Sequence, residues 1–346
     1  MVLVDFLPDT PLVNVLVVLV ATAFIWVGSG WLETSAEELS EHYGLPPVVQ
    51  GSIVVAVGSS FPELASVVFT ALNDVFDMGV GAIVGSAIFN ILVIPALAGL
   101  AVSDDLDTNR TIVYKEAQFY MIAVSALVVT FALAVIYNPV SGTAGVDLLG
   151  ELTPPLAAIP LALYGLYLFI QWQDVNDHEA AESTVEQVGR SWLLLAAGLA
   201  LILLAVETLV GSVESLSQTF GIPEFLAGVT IVAAATSLPD LLVSVRSARV
   251  GKGVTSLGNV LGSNTFDLLV AIPLGVLIVG TVTINFAVAV PMFGVLTLAT
   301  VLLFTFLRTD LSLTSLESAL LLVAYLAFVA WVVAETLGFS GLIKTV

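Results

Sequence analysis

Four short segments place oxygen-bearing side chains inside apolar sequence: Gly58-Ser-Ser-Phe-Pro-Glu63, Gly85-Ser-Ala-Ile-Phe-Asn90, Ala235-Thr-Ser-Leu-Pro-Asp240 and Gly262-Ser-Asn-Thr-Phe-Asp267. In each, a hydroxyl precedes a carboxyl or amide by four residues: Ser59 and Glu63, Ser86 and Asn90, Thr236 and Asp240, Ser263 and Asp267. On a helix such pairs stack on one face, one turn apart. Pro62 and Pro239 each remove a backbone donor and crowd the preceding turn, which frees carbonyls just upstream. In hydrocarbon those carbonyls need partners, and a cation is one. Carboxylates, hydroxyls, an amide and carbonyls make an all-oxygen set, which suits hard cations such as Ca²⁺ and Na⁺; softer metals call for His or Cys.

Charge sharpens this reading. Glu63, Asp240 and Asp267 carry up to three negative charges, and no Lys or Arg lies in these segments. An acid at the middle of a bilayer costs about 2.5–3.5 kcal/mol even on insertion scales. An empty site of this kind resists crossing and a loaded one crosses, which is the coupling that an obligatory antiporter requires.

The two pairs of segments belong to an internal repeat at a constant offset of 177 residues. Gly44-Leu-Pro46 recurs as Gly221-Ile-Pro223, Gly51 as Gly228, and Ser60, Pro62 and Glu63 as Ser237, Pro239 and Asp240. Gly81 falls on Gly258, Gly85 and Ser86 on Gly262 and Ser263, and Phe89 and Asn90 on Phe266 and Asp267, with no gap.

The elements that must position these residues are membrane helices. The chain has 346 residues, 58% of them hydrophobic and only 10% charged, and its apolar runs reach the length that crosses about 30 Å of hydrocarbon. Ten spans are expected, near Leu12–Leu32, Val48–Leu72, Gly79–Ala101, Ala117–Tyr137 and Leu152–Gln171, then Trp192–Val213, Phe225–Ser247, Val254–Val279, Ile284–Leu307 and Leu313–Ala334. The fold class is therefore all-α and integral to the membrane, with five spans in residues 1–171, a polar acidic linker over 172–190, and five spans in 191–346. An odd number of spans per repeat makes the second half enter from the opposite side, the inverted topology of many secondary transporters.

Basic residues are retained on the cytoplasmic side. With the N-terminus outside, Arg110, Lys115, Arg190, Arg246, Arg249, Lys252 and Arg308 fall inside, and of the eight basic residues only Lys344 falls outside. Both termini are thus expected outside a cell membrane and the linker in the cytoplasm.

The net charge of −20 sits largely in loops, as in Glu37, Glu38 and Glu41 or Asp104, Asp105 and Asp107. Such acidity keeps a surface hydrated in concentrated salt, so a halophilic source is expected. So few basic residues exclude nucleic acid as a partner, and the absence of cysteine excludes disulfides and thiolate metal sites. Asp5 and Asp9 near the N-terminus do not read as a cleaved signal peptide. No nucleophile–base pair is present, His42 and His178 lie in expected loops, and an enzyme is not expected. No cofactor and no obligate protein partner is implied; the partners are the transported ions and membrane lipid.

The paired motifs resemble the two alpha-repeats of the sodium/calcium exchanger family, within the cation/calcium antiporter superfamily. Their pattern there is G-[ST]-S-x-P-[ED] followed by G-S-x-x-F-[ND], and the resemblance extends over essentially the whole chain. It implies exchange of cytoplasmic Ca²⁺ for external Na⁺ by alternating access, with the first and sixth helices sliding as gates. It assigns cation ligation to Glu63, Asn90, Asp240 and Asp267, with Ser59, Ser60, Ser86, Thr236, Ser237 and Ser263, and with backbone carbonyls near Ala56 and Ala233. The chain departs from many microbial members, which have Thr at the position of Ser59, Glu at that of Asp240 and Asn at that of Ala87. The local wording is closer to the potassium-dependent branch, so K⁺ co-transport stays open, as does a Ca²⁺/H⁺ antiporter. A cation channel is the rival of a different class.

Three further features are given plainer readings. The linker acids Asp174, Asp177, Glu179, Glu182 and Glu186 beside His178 lack the Gly turn and terminal Glu of a calcium loop, so a solvated loop is expected. Glu207 matches Gly30 in the repeat and is placed at the outer interface, and Asp77 is a helix-start acid.

Overall fold

The computed structural model describes residues 8–44, 56–140, 148–173 and 188–339. The linker acids, His178, Lys344 and the start of the expected span Val48–Leu72 lie outside the described residues. The elements are α1 (Pro11–His42), α2 (Ala56–Ser59), α3 (Phe61–Leu72), α4 (Phe76–Leu100), β1 (Leu106–Asp107), α5 (Thr111–Tyr137), β2 (Leu149–Leu152), α6 (Pro154–Gln173) and α7 (Val188–Phe220). They continue with α8 (Glu224–Thr236), α9 (Leu238–Arg249), α10 (Gly253–Val279), β3 (Val282–Asn285), α11 (Phe286–Leu307), β4 (Ser312–Leu313) and α12 (Ser315–Thr336).

Among the described residues eight helices are long and apolar enough to cross a membrane, and the bent pair α8–α9 makes a ninth. The expected boundaries are close for most spans, but α1 runs ten residues beyond Leu32 and α7 runs on to Phe220. Both extensions are rich in Ser and Glu, which carry the helix past the apolar run without adding to it.

The element bounds repeat with the sequence offset. Pro11, Ala56, Phe61 and Phe76 begin α1, α2, α3 and α4; 177 residues later Val188 begins α7, Ala233 begins the last turn of α8, Leu238 begins α9 and Gly253 begins α10. Gly44 and Gly221, equivalent by the same offset, both end helices with φ +64°. A left-handed backbone there favours glycine, which explains both residues.

α4 and α10 form the centre: 94% and 78% of their apolar windows are buried, against 22–33% for α1, α6, α7 and α12. The peripheral helices turn Leu16, Leu19, Phe24, Leu193, Leu298 and Leu326 outward, as lipid-facing surfaces require. Two short antiparallel ladders tie the halves together at opposite ends of α4, β2 with β3 and β1 with β4. Near β1 and β4, Arg308 stacks over Tyr114 at 5.2 Å and Gly253 abuts the carbonyl of Asp107, so basic residues from both halves gather at that end.

α1 and α7 run antiparallel along each other. Asn14 Nδ2 donates to Ser215 Oγ (3.0 Å) and Asp9 Oδ1 (2.8 Å), Gly28 meets Gly198 midway, and Ser191 Oγ donates to Glu38 at the far end. Asn14 and Ser191 are equivalent by the 177-residue offset, as are Glu38 and Ser215, so the two end contacts are copies of each other. Hydrogen bonds first from Ser215 and then from Asn14 hold the Asp9 carboxyl below its ordinary pKa, which keeps its end of the pair charged.

Close crossing of α4 and α8 depends on glycine. A Cβ at Gly81 would stand 2.3 Å from the Phe225 carbonyl oxygen and one at Gly228 2.1 Å from that of Met78, whereas Gly294 on α11 has nothing within 4 Å. Gly81→Ala and Gly228→Ala should each destabilise the folded protein by about 1–3 kcal/mol, the usual range for overpacking. Thermal unfolding in detergent should place both below the parent and Gly294→Ala beside it; equal midpoints for all three would contradict this packing.

Candidate functional site

The two broken helices arise where Pro62 and Pro239 interrupt the backbone ladder. Ser60 and Ser237 sit at the breaks with φ/ψ of −88/5° and −81/−2°, and α8 and α9 meet at a bend of 46°. The breaks turn Glu63 and Asp240 inward, where both are fully buried. α4 carries Ser86 and Asn90 and α10 carries Ser263 and Asp267 against them, all fully buried as well. Asp267 opens a π-helical stretch, Asp267–Ala271, and a second one, Gly228–Val232, lies just ahead of Ala233. Such wide turns recur at functional sites because they re-aim side chains and backbone.

The segments singled out in the sequence converge. Glu63 Oε1 accepts from the hydroxyls of Ser86 and Ser237, each at 3.4 Å, and those hydroxyls lie 2.8 Å apart. Asp240 Oδ1 accepts from Ser263 Oγ at 3.1 Å, and its Oδ2 from Asn90 Nδ2 at 3.0 Å. Ser59 and Ser263 hydroxyls meet at 3.1 Å. Thr236 lies beside Glu63, and Ser60 beside Asp267. Thr236 Oγ1 donates to the carbonyls of Val232 (3.1 Å) and Ala233 (3.4 Å), and the Ala233 carbonyl also accepts from Ser237 N at 3.0 Å. Ala56 stands at the equivalent position, the first residue of α2.

Several acceptors in this cluster are buried with no hydrogen-bond partner: Glu63 Oε2, Asn90 Oδ1, both oxygens of Asp267, and Ser60 Oγ. Folded proteins leave few buried polar atoms unpaired, so a group of them at one place calls for an explanation. Every one is an oxygen. Among the described residues, no three acids or histidines draw close enough to hold a metal ion unaided. A cation held here takes mixed oxygen ligands with one or two carboxylates, a set fit for Na⁺ or Ca²⁺.

One organising residue lies inside a motif but was not singled out. Asn264 Nδ2 donates to the Ala87 carbonyl at 3.2 Å and to Tyr120 OH at 3.3 Å, while its Oδ1 accepts from Asn90 Nδ2 at 3.0 Å. With its amide donors occupied by Asn264 and Asp240, Asn90 leaves its own oxygen free. Ala87 and Asn264 are repeat equivalents. Outside the motifs, Asn259 Nδ2 lies between Asp240 and Ser244, and Glu33 is within electrostatic reach of Asp240. Asp77 lies in the first turn of α4 and accepts from the Asn285 backbone at 3.4 Å, a helix-start acid as expected. Glu207 is half-buried on α7.

Long apolar helices around a buried all-oxygen cluster define a multi-pass membrane transporter. Residues 13–173 and 190–334 match the family described as sodium/calcium exchanger protein. The chain belongs to that family, whose members are transporters rather than enzymes, and membership supports cation/Ca²⁺ antiporter activity. It is 29% identical over 278 residues to inner membrane protein YrbG of Escherichia coli K12, covering 75% of this chain and 80% of the relative. To sodium/calcium exchanger MaX1 of Methanosarcina acetivorans it is 25% identical over 346 residues, covering 91% and 97%. The solved sodium-calcium exchanger NCX_Mj shares the fold with a TM-score of 0.63 at 21% identity, over 93% of this chain and 99% of that one.

If Asn264 orients Asn90, Asn264→Ala should weaken cation binding by about 10–100-fold, the range for residues that orient a ligand. Stabilisation of the purified protein by Ca²⁺, titrated in a thermal-shift series, measures it. A variant that binds like the parent would remove Asn264 from this role.

Proposed function

We propose that this protein exchanges Ca²⁺ for Na⁺ across a cell membrane by alternating access, through one cage of oxygens between two inverted repeats of five helices. The observation that carries the reading is the group of fully buried acceptors on Glu63, Asn90 and Asp267 that lack hydrogen-bond partners. The cage comprises Glu63, Asn90, Asp240 and Asp267, the hydroxyls of Ser59, Ser60, Ser86, Thr236, Ser237 and Ser263, and carbonyls near Ala56 and Ala233. Ca²⁺ or Na⁺ takes the place of the missing hydrogen-bond donors, and the carboxylates supply the charge that the cargo neutralises.

Two observations support inversion of the halves. The repeat-equivalent helices α1 and α7 lie antiparallel, and the ladders cross between halves, β1 with β4 and β2 with β3. The gathering of Arg110, Lys115, Arg246, Arg249, Lys252 and Arg308 at helix ends supports termini outside and the linker in the cytoplasm.

The test is ⁴⁵Ca²⁺ uptake into proteoliposomes loaded with Na⁺ and diluted into choline, with and without K⁺ and with an imposed pH gradient. Uptake should require the Na⁺ gradient, and Glu63→Gln should abolish it in a protein that still purifies folded. A K⁺ requirement would assign the potassium-dependent branch. Uptake driven by the pH gradient alone would replace Na⁺ with H⁺ as the coupling ion, and uptake needing no counter-ion would mean a channel.

A further inference from the structure

The cage ligands sit at repeat-equivalent positions, but the surroundings of Glu63 and of its equivalent Asp240 differ. Beyond Asp240, α9 and α10 present Ser244, Ser256 and Asn259, all at least nine-tenths buried, with Asn259 7% exposed and Ser256 1%. Their repeat equivalents around Glu63 are Val67, Gly79 and Ala82, which offer no polar side chain. The second half therefore carries three buried polar groups that the first half folds without.

These groups form a connected path. Asn259 Nδ2 lies 3.5 Å from Asp240 Oδ1 and 3.3 Å from Ser244 Oγ, and Ser244 Oγ donates to the Ser256 carbonyl at 3.3 Å. All of these contacts are long, and two oxygens are left over: Asn259 Oδ1 and Ser256 Oγ are buried without a hydrogen-bond partner. Residues 256 and 259 are three apart on α10 and share a face. Glu33 approaches from α1: its Cγ lies 3.8 Å from the Cβ position of Gly58, it is within electrostatic reach of Asp240 and Arg246, and its Oε1 is buried without a partner.

The direction of the path follows from the chain. α9 runs from Asp240 through Ser244 to Arg246 and Arg249, and α10 runs from Lys252 through Ser256 and Asn259 to Ser263. The path thus leads from the cage toward the end of the bundle that carries the basic residues. A hydrogen-bonded plug would pair its own atoms at normal lengths; here donors are stretched and acceptors are spare, which is the condition of a site awaiting a cation.

We propose that Ser244, Ser256, Asn259 and Glu33 form a second cation site, a staging site between the cage and the basic end, which takes the same hard cations, Na⁺ or Ca²⁺. A cation there is ligated by Asn259 Oδ1 after rotation of the amide, by Ser256 Oγ and Ser244 Oγ, and by the carboxylate of Glu33 or Asp240. The first half has no counterpart, so entry from the two membrane sides differs. This rests on the cation-exchange reading above and adds to it a site that reading does not need.

The chain has no cysteine, which allows a direct test. Ser256→Cys, a near-isosteric change, should react with a small cationic thiosulfonate added on the basic side, and Na⁺ or Ca²⁺ should slow that reaction at least fivefold. In flux measurements Ser244→Val, Ser256→Gly and Asn259→Ala, which install the first half's own residues, should together raise the half-saturating Ca²⁺ concentration about tenfold on the basic side only. Labelling indifferent to cations, or equal shifts on both sides, would overturn the staging site. Because labelling does not depend on exchange, cation-sensitive labelling in a protein without Na⁺-driven uptake would keep the site and remove the exchange reading.

Discussion

The structure is organised around buried carboxylates whose near neighbours are hydroxyls and amides. Glu63, Asp240 and Asp267 are fully buried, and the hydrogen bonds that Glu63 and Asp240 accept come from Ser86, Ser237, Ser263, Asn90 and Asn259. Neutral donors of this kind soften the desolvation of a carboxylate without cancelling its charge. In the proposed reading the remaining charge is left for a mobile ion, and other features accord with that need. Helices break at Pro62 and Pro239 where the acids turn inward, and two of the three π-helical stretches among the described residues lie at Asp267 and before Ala233. Glycine lets α4 and α8 approach until backbone meets backbone at Gly81 and Gly228. In hydrocarbon close backbone packing substitutes for a hydrophobic driving force, so these glycines hold the walls of the cluster together.

Much of this could be read from the residues because the relevant signals are periodic or covalent. The four-residue spacing of Ser59 with Glu63 or Ser263 with Asp267 is one helical turn, and a proline marks its break wherever the fold places it. The 177-residue offset needs only identity of residues, and the element bounds of α1 to α4 and α7 to α10 keep it. Other parts were not legible. Asn264 finds its partner in the backbone carbonyl of Ala87, and a carbonyl carries no sequence signal. Ser244 and Asn259 break the repeat, so a comparison of halves passes over them. The ladders β1–β4 and β2–β3 are two to four residues long and pair across more than a hundred residues, too short for periodicity and too distant for a turn signature. The polar ends of α1 and α7 add helix without adding hydropathy, which is why the spans looked shorter than they are.

The repeat sets a symmetric frame, and function calls for departures from it. Asn264 donates to the backbone carbonyl of its own repeat equivalent, Ala87. The first half has an alanine there and the second an asparagine, which accepts from Asn90 Nδ2. Asn90 and Asp267 are likewise equivalent positions with different charge, an amide in the first half and a carboxylate in the second. A cage with strict two-fold symmetry would present the same ligands to both sides of the membrane. These substitutions leave the backbone symmetric and the chemistry lopsided.

The arrangement of helices also separates what holds the ions from what could admit them. In the proposed reading the cage ligands lie on α2, α3, α4, α8, α9 and α10 or, as Ser60 and Ser237, at the breaks between them, and none lies on α7. The apolar core divides accordingly, a large cluster centred on α4, α5, α10 and α11 and a smaller one in which α1 and α7 pack on Ala65, Met78 and Val232. The α1–α7 pair is joined to itself at both ends by repeat-equivalent contacts, Asn14 with Ser215 and Ser191 with Glu38. About 24 residues separate the two ends along α1, roughly 36 Å of helix, enough to place one contact near each face of the membrane. Polar contacts at the faces and small residues such as Gly28 and Gly198 between them fix the register of α1 on α7, while the pair meets the rest of the molecule chiefly through apolar side chains. Apolar contacts are non-directional and tolerate sliding, whereas paired hydrogen bonds do not. In the proposed reading the pair therefore shifts as a unit across the cage, while the cage ligands stay on the other helices.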